Sequence, residues 1–277
     1  MSEFAGRVAV VTGAGSGIGR ALALDLARRG AKLALSDMNT VGLAETVAQV
    51  EALGAEVRSD HLDVTQREAV LEYAKTIAEH FGKVNQVYNN AGIAYHGSFE
   101  KAEFKDFERV VDVDFYGVVN GTKAFLPYVI ASGDGHIVNT SSLFGLLAIP
   151  GQSAYNAAKF AVRGFTEALR QEMLVAKHPV RVSCVHPGGI KTAIARNAVT
   201  GPDEDLASIA EFFDKRLART SAEDAARTIT NGVRKNKARI LIGADARFLD
   251  AWVRLVGSSY QRVVATVVPR FMPKSQR

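Results

Sequence analysis

Short apolar runs alternate along the chain with longer segments in which apolar residues recur every three or four positions. The short runs have the length and β-branched content of buried strands, whereas the longer segments have the period of amphipathic helices. Seven strands are predicted, at residues 8–11, 32–35, 56–58, 86–88, 136–139, 181–185 and 239–242. Helices are predicted at approximately 17–29, 41–53, 66–81, 104–132, 153–177 and 222–235. This alternation is typical of βαβ units and predicts an α/β fold with a parallel sheet flanked by helices.

The length and composition fit one domain. The chain has 277 residues, of which 47% are hydrophobic and 23% charged, as in an ordinary globular protein with a large core. Parallel α/β sheets of this length routinely form one unit. We therefore expect a single domain over residues 1–277.

Residues 190–220 differ from the rest of the chain because they show no strand pattern. Gly201 and Pro202 interrupt this segment, and residues 203–205 are acidic. An apolar set follows them, at Leu206, Ile209, Phe212 and Phe213. We interpret residues 190–220 as a mobile lid. Ser221 and Asp224 then have the spacing of a capping box and predict the start of the next helix.

The amino terminus, the length of the apolar runs and the single cysteine indicate the cellular compartment. The amino terminus lacks the apolar core of a signal peptide, and no run reaches the roughly 18 apolar residues that a membrane span needs. The single cysteine, Cys184, cannot form a disulfide within the chain and suits a reducing compartment. We expect a cytoplasmic protein in which Cys184 is a buried hydrophobe. A thiolate activated by His186, two residues on, is the alternative interpretation of Cys184.

A glycine-rich segment after the first strand has the features of a dinucleotide-binding turn. Gly13, Gly17 and Gly19 lie between a strand and a helix, where glycines let the backbone turn tightly and approach a pyrophosphate. The amides near Ser16–Ile18 lie at the amino terminus of the helix and supply donors and a positive dipole end. Asp37 closes the second strand 18 residues after Gly19, where a carboxylate accepts hydrogen bonds from ribose hydroxyls.

The same carboxylate discriminates between the two nicotinamide dinucleotides. Asp37 would repel the 2′-phosphate of NADP, and neither Ser16 nor Met38 offers a compensating positive charge. Arg20 is near enough in the sequence to keep NADP as an alternative. NAD is therefore the predicted cofactor.

Together with motifs farther along, these residues resemble the short-chain dehydrogenase/reductase family. TGAGSGIG spans 12–19, NNAG spans 89–92, YNAAK at 155–159 follows the serine of NTSSLFG, and PGGIKT spans 187–192. The order and spacing agree with the family from about Arg7 to Thr192, with looser agreement to Ile242. The resemblance implies a single-domain, doubly wound Rossmann fold that oxidises secondary alcohols or reduces ketones. It also implies a homodimer or homotetramer packed through the long helices 104–132 and 153–177.

The resemblance further implies which residues contact the cofactor. Asp63 and Val64 would contact the adenine. The ribose and nicotinamide side would be lined by Asn90, Ala91 and Gly92. The turn at 187–192 would hold the carboxamide, with contacts from Pro187, Gly188, Ile190 and Thr192.

Tyr155 and Lys159 are four residues apart in a predicted helix, so they lie one turn apart on the same face. A phenol has a pKa of about 10, and a neighbouring ammonium together with an oxidised nicotinamide favours its ionised form. Tyr155 is therefore the predicted general acid/base in hydride transfer between the cofactor and the substrate. By resemblance, Lys159 also holds the nicotinamide ribose, and Ser142 shares the substrate oxygen with the phenol. The adjacent Ser141 is expected to point away, because neighbouring side chains in a strand face opposite sides.

The chain departs from the family at Asp114. In the family an asparagine at this position is the fourth catalytic residue and helps to hold a water that links Lys159 to solvent. An ionised Asp114 near Lys159 would raise the pKa of the lysine and weaken its effect on Tyr155, whereas a protonated or outward-turned one would not. A cap or ion pair within its own helix is the structural alternative. We expect activity to survive because a backbone carbonyl at a local irregularity of the helix maintains the relay.

Several apolar residues follow the catalytic serine and predict an apolar substrate: Leu143, Phe144, Leu146, Leu147 and Ile149. Ile194 and the lid residues Phe212 and Phe213 extend this set, which alternatively forms only core or subunit contacts. The six histidines show no metal-ligand spacing, so no metal is predicted. A catalytically silent NAD-binding regulatory protein remains the alternative function, although such a protein could lose Tyr155, Lys159 or Ser142.

The net charge of +5 is concentrated at the carboxyl terminus. Residues 234–277 hold ten Lys and Arg against two Asp, so the rest of the chain carries −3. No nucleic-acid partner is expected, because the chain lacks a uniformly basic surface and any recognisable binding motif. Residues 244–277 form an extension with a predicted helical pattern of apolar and basic residues: Trp252, Leu255, Val256, Val263, Val264, Val267, Arg254, Arg262 and Arg270. This extension lies on a membrane surface, covers the substrate entrance, or simply packs on the domain.

Overall fold

The computed structural model describes residues 4–202 and 204–271. In chain order the strands are β1 (Val8–Thr12), β2 (Lys32–Asp37), β3 (Val57–His61), β4 (Gln86–Asn89), β5 (Tyr95–His96), β6 (Gly135–Thr140), β7 (Val180–Pro187), β8 (Val199–Thr200) and β9 (Arg239–Ile242). Seven of them form one parallel sheet in the order β3-β2-β1-β4-β6-β7-β9. β5 and β8 pair in parallel as a separate two-stranded sheet.

Helices cover both faces of the main sheet. They are α1 (Gly17–Arg28), α2 (Thr40–Ala52), α3 (Arg67–Phe81), α4 (Phe104–Val111), α5 (Gly117–Ala131), α6 (Ser153–Val175), α7 (Leu206–Phe212), α8 (Ala222–Arg234), α9 (Ala244–Val256) and α10 (Tyr260–Phe271). Two π-helical turns, Asp112–Tyr116 and Phe213–Leu217, follow α4 and α7. The predicted single-domain, doubly wound Rossmann fold with seven parallel strands is confirmed.

Successive side chains of β1 enter two different cores, as the alternation of a strand requires. Ala9 and Val11 pack against α1 and α8, whereas Val10 packs on the opposite face with residues of α3 and α5. The chain leaves β1 in one direction and β4 in the other, so the strand order reverses between them. In open α/β sheets, ligands bind in the crevice at the carboxyl ends of the strands beside such a reversal.

One prediction about local structure is refined and another is wrong. The helix predicted at 104–132 is helical without a break over residues 104–131, but Asp112–Tyr116 form a π-helical turn between α4 and α5. The segment 190–220 does contain a strand, β8, which pairs with β5, and it also contains α7. A two-residue strand has too few positions to show a period, so its pattern is invisible in the sequence.

The helix after the lid segment begins as predicted. The hydroxyl oxygen of Ser221 accepts a hydrogen bond from the backbone N–H of Asp224 at 3.0 Å, and the hydroxyl donates to the Asp224 carboxylate at 2.8 Å. These bonds satisfy an amide that the first turn of α8 leaves without a helical partner. The end of residues 190–220 is thereby fixed to a helix that packs on α1.

The carboxyl-terminal extension is helical and packs on the domain over its described residues. Tyr260 and Val264 of α10 lie in an apolar cluster with Leu143, Leu146 and Leu147. The backbone N–H of Ala148 donates to the Tyr260 hydroxyl oxygen at 3.1 Å. The extension thus covers the segment that follows Ser142, which agrees with the packing interpretation. The side chain of Arg270 lies outside the described residues.

Candidate active site

The glycine-rich turn between β1 and α1 needs residues without a Cβ atom. Gly13 and Gly17 have φ angles of +66° and +52°, which L-residues with side chains rarely adopt. A Cβ at Gly13 would lie 2.8 Å from the Cα of Ala91, and one at Gly19 would lie 1.9 Å from the carbonyl oxygen of Gly13. Ser16 precedes the first residue of α1, and its side chain caps no amide. This cradle fits a pyrophosphate, because the helix amino terminus faces space that side chains would otherwise fill.

Asp37 lies at the carboxyl end of β2, beside this turn. Its carboxylate accepts hydrogen bonds from the backbone N–H groups of Gly15 and Asn39, each at 2.8 Å. A Cβ at Gly15 would lie 2.9 Å from a carboxylate oxygen of Asp37, so this glycine also permits a close approach. The acidic side chain therefore has a fixed position at the ribose end of the cradle.

Arg20 is engaged elsewhere. Its guanidinium donates to the carbonyl oxygens of Gly15 and Gly42 at 2.6 and 3.0 Å, and it pairs with Glu45 at 2.7 Å. These contacts join the glycine-rich turn to α2 and neutralise the positive charge. Arg20 thus joins two elements of the described structure.

The NNAG segment connects the ends of β1 and β4. The hydroxyl oxygen of Thr12 accepts hydrogen bonds from the N–H groups of Asn90 and Ala91 at 3.0 and 3.1 Å. The Asn90 amide donates to the carbonyl oxygens of Thr12 and Gly13 at 3.1 and 3.4 Å. These bonds place Asn90, Ala91 and Gly92 beside the glycine-rich turn, as the resemblance implies.

The predicted adenine contacts lie after β3. The Asp63 carboxylate accepts hydrogen bonds from the backbone N–H and hydroxyl of Thr65 at 2.9 and 2.8 Å. Val64 is buried, and its carbonyl oxygen accepts a hydrogen bond from the Asn120 amide at 3.0 Å. The sequence pattern does not single out Asn120, because this polar residue lies inside a helix far along the chain.

The turn after β7 reaches across to the glycine-rich turn. A Cβ at Gly17 would lie 3.1 Å from the Thr192 methyl group. Ile190 is buried and forms a bridge with Thr220, and the N–H of Gly188 donates to the carbonyl of Ile242 at 3.0 Å. The 187–192 turn and the glycine-rich turn therefore bound the same cleft.

Ser142, Tyr155 and Lys159 converge at the carboxyl end of β6. Ser142 follows the strand, and its hydroxyl oxygen accepts a hydrogen bond from the Phe144 N–H at 3.1 Å. Tyr155 and Lys159 lie on α6, with the Lys159 Nζ 5.5 Å from the centre of the Tyr155 ring. Ser141 points away as predicted, and its hydroxyl donates to the Lys159 carbonyl oxygen at 2.7 Å.

Asp114 faces Lys159 rather than its own helix. Its Oδ2 lies 3.2 Å from the Lys159 Nζ, and its Oδ1 accepts a hydrogen bond from the Ile93 N–H at 2.7 Å. One carboxyl oxygen thus accepts a backbone hydrogen bond, while the other faces the Lys159 ammonium without a hydrogen bond. A Cβ at Gly92 would lie 3.2 and 3.3 Å from Asp114 and Lys159, so the NNAG glycine makes room for the pair. The interpretation of Asp114 as a contact within its own helix is wrong.

Burial and these charges set the protonation of the site. Burial raises the pKa of Asp114 above its usual value, although Lys159 acts against this. Burial alone would lower the pKa of Lys159, but Asp114 and Tyr155 raise that pKa above its usual value. Burial also raises the pKa of the Tyr155 phenol, with Lys159 lowering it and Asp114 raising it. Lys159 alone therefore does not produce the lowered pKa predicted for Tyr155.

His186 contacts Ser142 through the backbone. Its Nδ1 lies 2.9 Å from the Ser142 carbonyl oxygen, and burial lowers the pKa of the imidazole to about 4. The neutral ring therefore donates its Nδ1 proton to Ser142. Burial raises the pKa of the Cys184 thiol to about 12, so Cys184 is not a nucleophile activated by His186. The interpretation of Cys184 as a buried hydrophobe is confirmed.

The predicted apolar wall is only partly available to a substrate. Leu143, Leu146 and Leu147 are buried against the carboxyl-terminal extension, whereas the Phe144 ring meets the Tyr155 ring edge to face at 6.3 Å. Val199 of β8 packs in the cluster that contains Tyr155. The pairing of β5 with β8 therefore brings Val199, in the segment 190–220, to the cluster around Tyr155.

No group of three or more His, Cys, Asp or Glu side chains within 4–202 and 204–271 could hold a metal ion. Over the same residues, no helix is long and apolar enough to cross a membrane.

Comparisons with known proteins agree with this arrangement. The family model described as short chain dehydrogenase matches residues 7–203. SadH of Mycobacterium tuberculosis, which is named as an oxidoreductase, is 68% identical over 273 residues and covers 99% of each chain. Mouse estradiol 17-beta-dehydrogenase 11 is 31% identical, covering 94% of this chain and 83% of its own.

Solved structures extend the likeness to the backbone. A short-chain dehydrogenase/reductase from Burkholderia phymatum in complex with NAD has a TM-score of 0.86 and 32% identity, covering 94% of this chain and 97% of its own. Similar structures include complexes with NAD and with NADP. With its fold, its motifs and these relatives in agreement, the chain belongs to the short-chain dehydrogenase/reductase family, a family of oxidoreductases.

Proposed function

We propose that this protein transfers a hydride between NAD(H) and a secondary alcohol or ketone. The observation that carries the proposal is the convergence of Ser142, Tyr155 and Lys159 beside the glycine-rich turn, at the carboxyl ends of the strands. When bound, the nicotinamide supplies the hydride acceptor or donor. The chain supplies placement of the substrate and transfer of a proton.

The proton steps follow from the side chains. The Ser142 hydroxyl and the Tyr155 phenol hold the substrate oxygen. In reduction, the phenol donates its proton to this oxygen as the hydride arrives at the carbon, and in oxidation it accepts the proton. Because burial raises its pKa, Tyr155 is protonated at neutral pH and ready for the reductive direction. Lys159 opposes this increase in the pKa of Tyr155 and relays the proton between the phenol and solvent.

The proposal assigns NAD rather than NADP to the cleft. Asp37 is fixed beside Gly15, and the charge of Arg20 is paired with Glu45. A 2′-phosphate at this point would face the Asp37 carboxylate, and the Arg20 guanidinium is already engaged with Glu45 and Gly15. The residues proposed to hold NAD are Gly13, Ser16, Gly17, Ile18, Gly19, Asp37, Asp63, Val64, Asn90, Ala91, Gly92, Tyr155, Lys159, Pro187, Gly188, Ile190 and Thr192.

The substrate is proposed to be apolar. Phe144 contacts the Tyr155 ring, and Val199 of the lid segment packs in the same cluster. The mouse relative is named for estradiol, a steroid alcohol. A screen with aliphatic, aromatic, steroid and polyol alcohols, read by the absorbance of reduced nicotinamide, tests the proposal. We expect bulky hydrophobic alcohols to turn over faster than polyols, and the reverse order would contradict an apolar substrate.

One observation favours a second candidate, a protein that binds NAD without turnover. Asp114 pairs with Lys159 and raises the pKa of Tyr155, which weakens the electrostatic help that the lysine gives to the phenol. If the native protein shows no turnover with any alcohol and Asp114→Asn restores it, the silent regulator is the correct function.

We also propose where the protein is located, how it assembles and which surface it contacts. We place it in the cytoplasm as a homodimer or homotetramer packed through the α4–α5 segment and α6. The exposed face of α9 carries Phe248, Leu255 and Arg254, which suits weak contact with an anionic membrane. Failure to float with anionic vesicles at low salt would contradict this contact.

A further inference from the structure

The 187–192 turn is held by elements on both of its sides. On one side, the carbonyl oxygen of Gly189 accepts hydrogen bonds from the N–H groups of Arg219 and Thr220, at 3.1 and 3.2 Å. On the other side lies the start of α9, the first helix of the carboxyl-terminal extension. This second contact involves a side chain, which makes it specific to the residue present.

That side chain is Asp245, in the first turn of α9. Its Oδ2 accepts a hydrogen bond from the N–H of Gly189 at 2.8 Å. A Cβ at Gly188 would lie 2.2 to 2.4 Å from the Asp245 carboxyl group. Gly243, with a φ of +94°, would also meet Asp245 Oδ1 at 2.2 Å if it carried a Cβ. Gly188 and Gly243 thus leave room for one carboxylate to reach the turn.

The turn that Asp245 holds bounds the cofactor cleft. Thr192, three residues beyond Gly189, lies against Gly17 of the glycine-rich turn. Because Gly188 and Gly189 have no side chains to fix them, their position depends on hydrogen bonds from neighbouring elements. A carboxylate that accepts a backbone N–H is among the stronger of such bonds.

We propose that Asp245 is a positioning residue for the cofactor: it holds the 187–192 turn in the geometry that binds the nicotinamide end of NAD. Asp245 lies beyond residues 7–203, which the family model matches, so the extension supplies part of this chain's own cofactor site. The inference rests on the proposed function, because it takes NAD as the ligand of the cleft.

The test is direct binding of NAD to the purified full chain, by calorimetry or quenching of intrinsic fluorescence. Asp245→Ala is expected to weaken NAD binding about tenfold, because the loss of a hydrogen bond to a charged group leaves the turn without its anchor. Asp245→Asn keeps an acceptor oxygen and is expected to bind NAD within about threefold of the wild type.

Asp250→Ala is the matched control on the same helix. Asp250 pairs with Arg239 and Arg254 at 3.0 and 3.1 Å and does not contact the turn. Its loss is expected to lower the melting temperature without changing the dissociation constant for NAD. Equal weakening by Asp250→Ala and Asp245→Ala would overturn the inference, because general loosening of α9 would then explain both. Unchanged NAD binding by Asp245→Ala would overturn it as well.

Gly188→Ala tests the same contact while Asp245 is present, which covers an Asp245→Ala variant that fails to fold. The added methyl group must displace the carboxylate, so we expect NAD binding to weaken about tenfold. In the Asp245→Ala background, Gly188→Ala should weaken NAD binding by a smaller factor. Wild-type affinity in Gly188→Ala, or an equal cost in both backgrounds, would contradict the role of Asp245. Failure of the wild-type protein to bind NAD would instead reject the proposed function.

Discussion

The Nζ atom of Lys159 lies 3.2 Å from Oδ2 of Asp114, and both side chains are buried. The pair is formed between α6 and the π-helical turn that follows α4, and Gly92 leaves the room that it needs. Asp114 raises the pKa of both Lys159 and Tyr155. One carboxylate therefore influences the group that we assign as the acid/base.

Asp114→Asn should change the pH profile more than the maximal rate. Removal of the negative charge lowers the pKa of Tyr155, so the rise of alcohol oxidation with pH should move to lower pH. The maximal rate should change far less than the roughly 100-fold or more that loss of general acid/base catalysis costs. Kinetics of oxidation across a pH series measure both effects.

Asp112→Asn is the control for that experiment, because Asp112 is exposed in the same π-helical turn. Its pH profile should match that of the wild type. The same shift in both variants, or no shift in Asp114→Asn, would show that the Asp114–Lys159 pair does not govern the protonation of Tyr155.

Asp37→Ala should relax the preference for NAD over NADP. A carboxylate hydrogen bond to ribose contributes about 1.5–3 kcal/mol, so its loss should weaken NAD binding roughly tenfold or more. NADP binding should strengthen, because a like charge is removed. Dissociation constants for both cofactors provide the measurement. Asp60→Ala on β3, where Asp60 pairs with Arg58 at 3.1 Å, is the control and should preserve the preference. An unchanged ratio in Asp37→Ala would reject the assignment of Asp37.

The fold was predictable because central parallel strands such as β1 and β4 are buried on both faces. β1 is a short apolar run bounded by turns, and this pattern needs no knowledge of distant partners. The cofactor turn and Tyr155 with Lys159 were predictable because close spacing in sequence fixes their geometry. The β5–β8 pair was not, because two-residue strands have no period.

Contacts between distant segments account for the rest of what the sequence does not reveal. Asp114 meets Lys159 because the π-helical turn aims its side chain at α6. Asp245 and Gly189 are 56 residues apart in the sequence. They meet because Gly189 follows β7 and Asp245 follows β9, and these two strands are parallel neighbours in the sheet. The family resemblance allowed for an Asp114 near Lys159, but no local pattern distinguishes that contact from one within its own helix. The Asp245 contact has no signal in the sequence, since an aspartate in the first turn of a helix is usually explained by the helix dipole alone.

Acid should destabilise the protein as histidines become charged. Burial lowers the pKa of His136 to about 3 and that of His186 to about 4, whereas an unfolded histidine titrates at about 6.5. Their contribution to stability is present above pH ~6.5 and is lost as the pH falls toward the folded values, by about 1.4 kcal/mol per pH unit for each group.

Urea unfolding at about pH 7 and about pH 5 would measure this decrease in the free energy of unfolding. His136→Asn should reduce the pH slope by about one proton. His178→Asn, at an exposed position, should leave the slope unchanged. Equal slopes for all three proteins would mean that His136 does not remain neutral in the folded state.

The oligomer should depend on the exposed face of α6. Phe160 follows Lys159 on this helix and is 38% exposed, so a charge there should disrupt packing against a symmetry mate. Phe160→Asp should lower the mass measured by light scattering to that of a monomer. Phe248→Asp on α9, where the side chain is 68% exposed, is the control and should keep the mass of the wild type. A monomeric wild-type protein at micromolar concentration would contradict the proposed assembly.

Comparison of Tyr155→Phe with the wild type tests the central claim most directly. The variant should still bind NAD, with an affinity lowered only by the loss of one hydroxyl contact, but oxidise secondary alcohols roughly 10²–10⁴-fold more slowly, because it keeps the ring and loses the proton-transferring hydroxyl. Tyr128→Phe on α5 is the control and should keep the full rate. Alcohol oxidation by Tyr155→Phe at the wild-type rate would contradict the account.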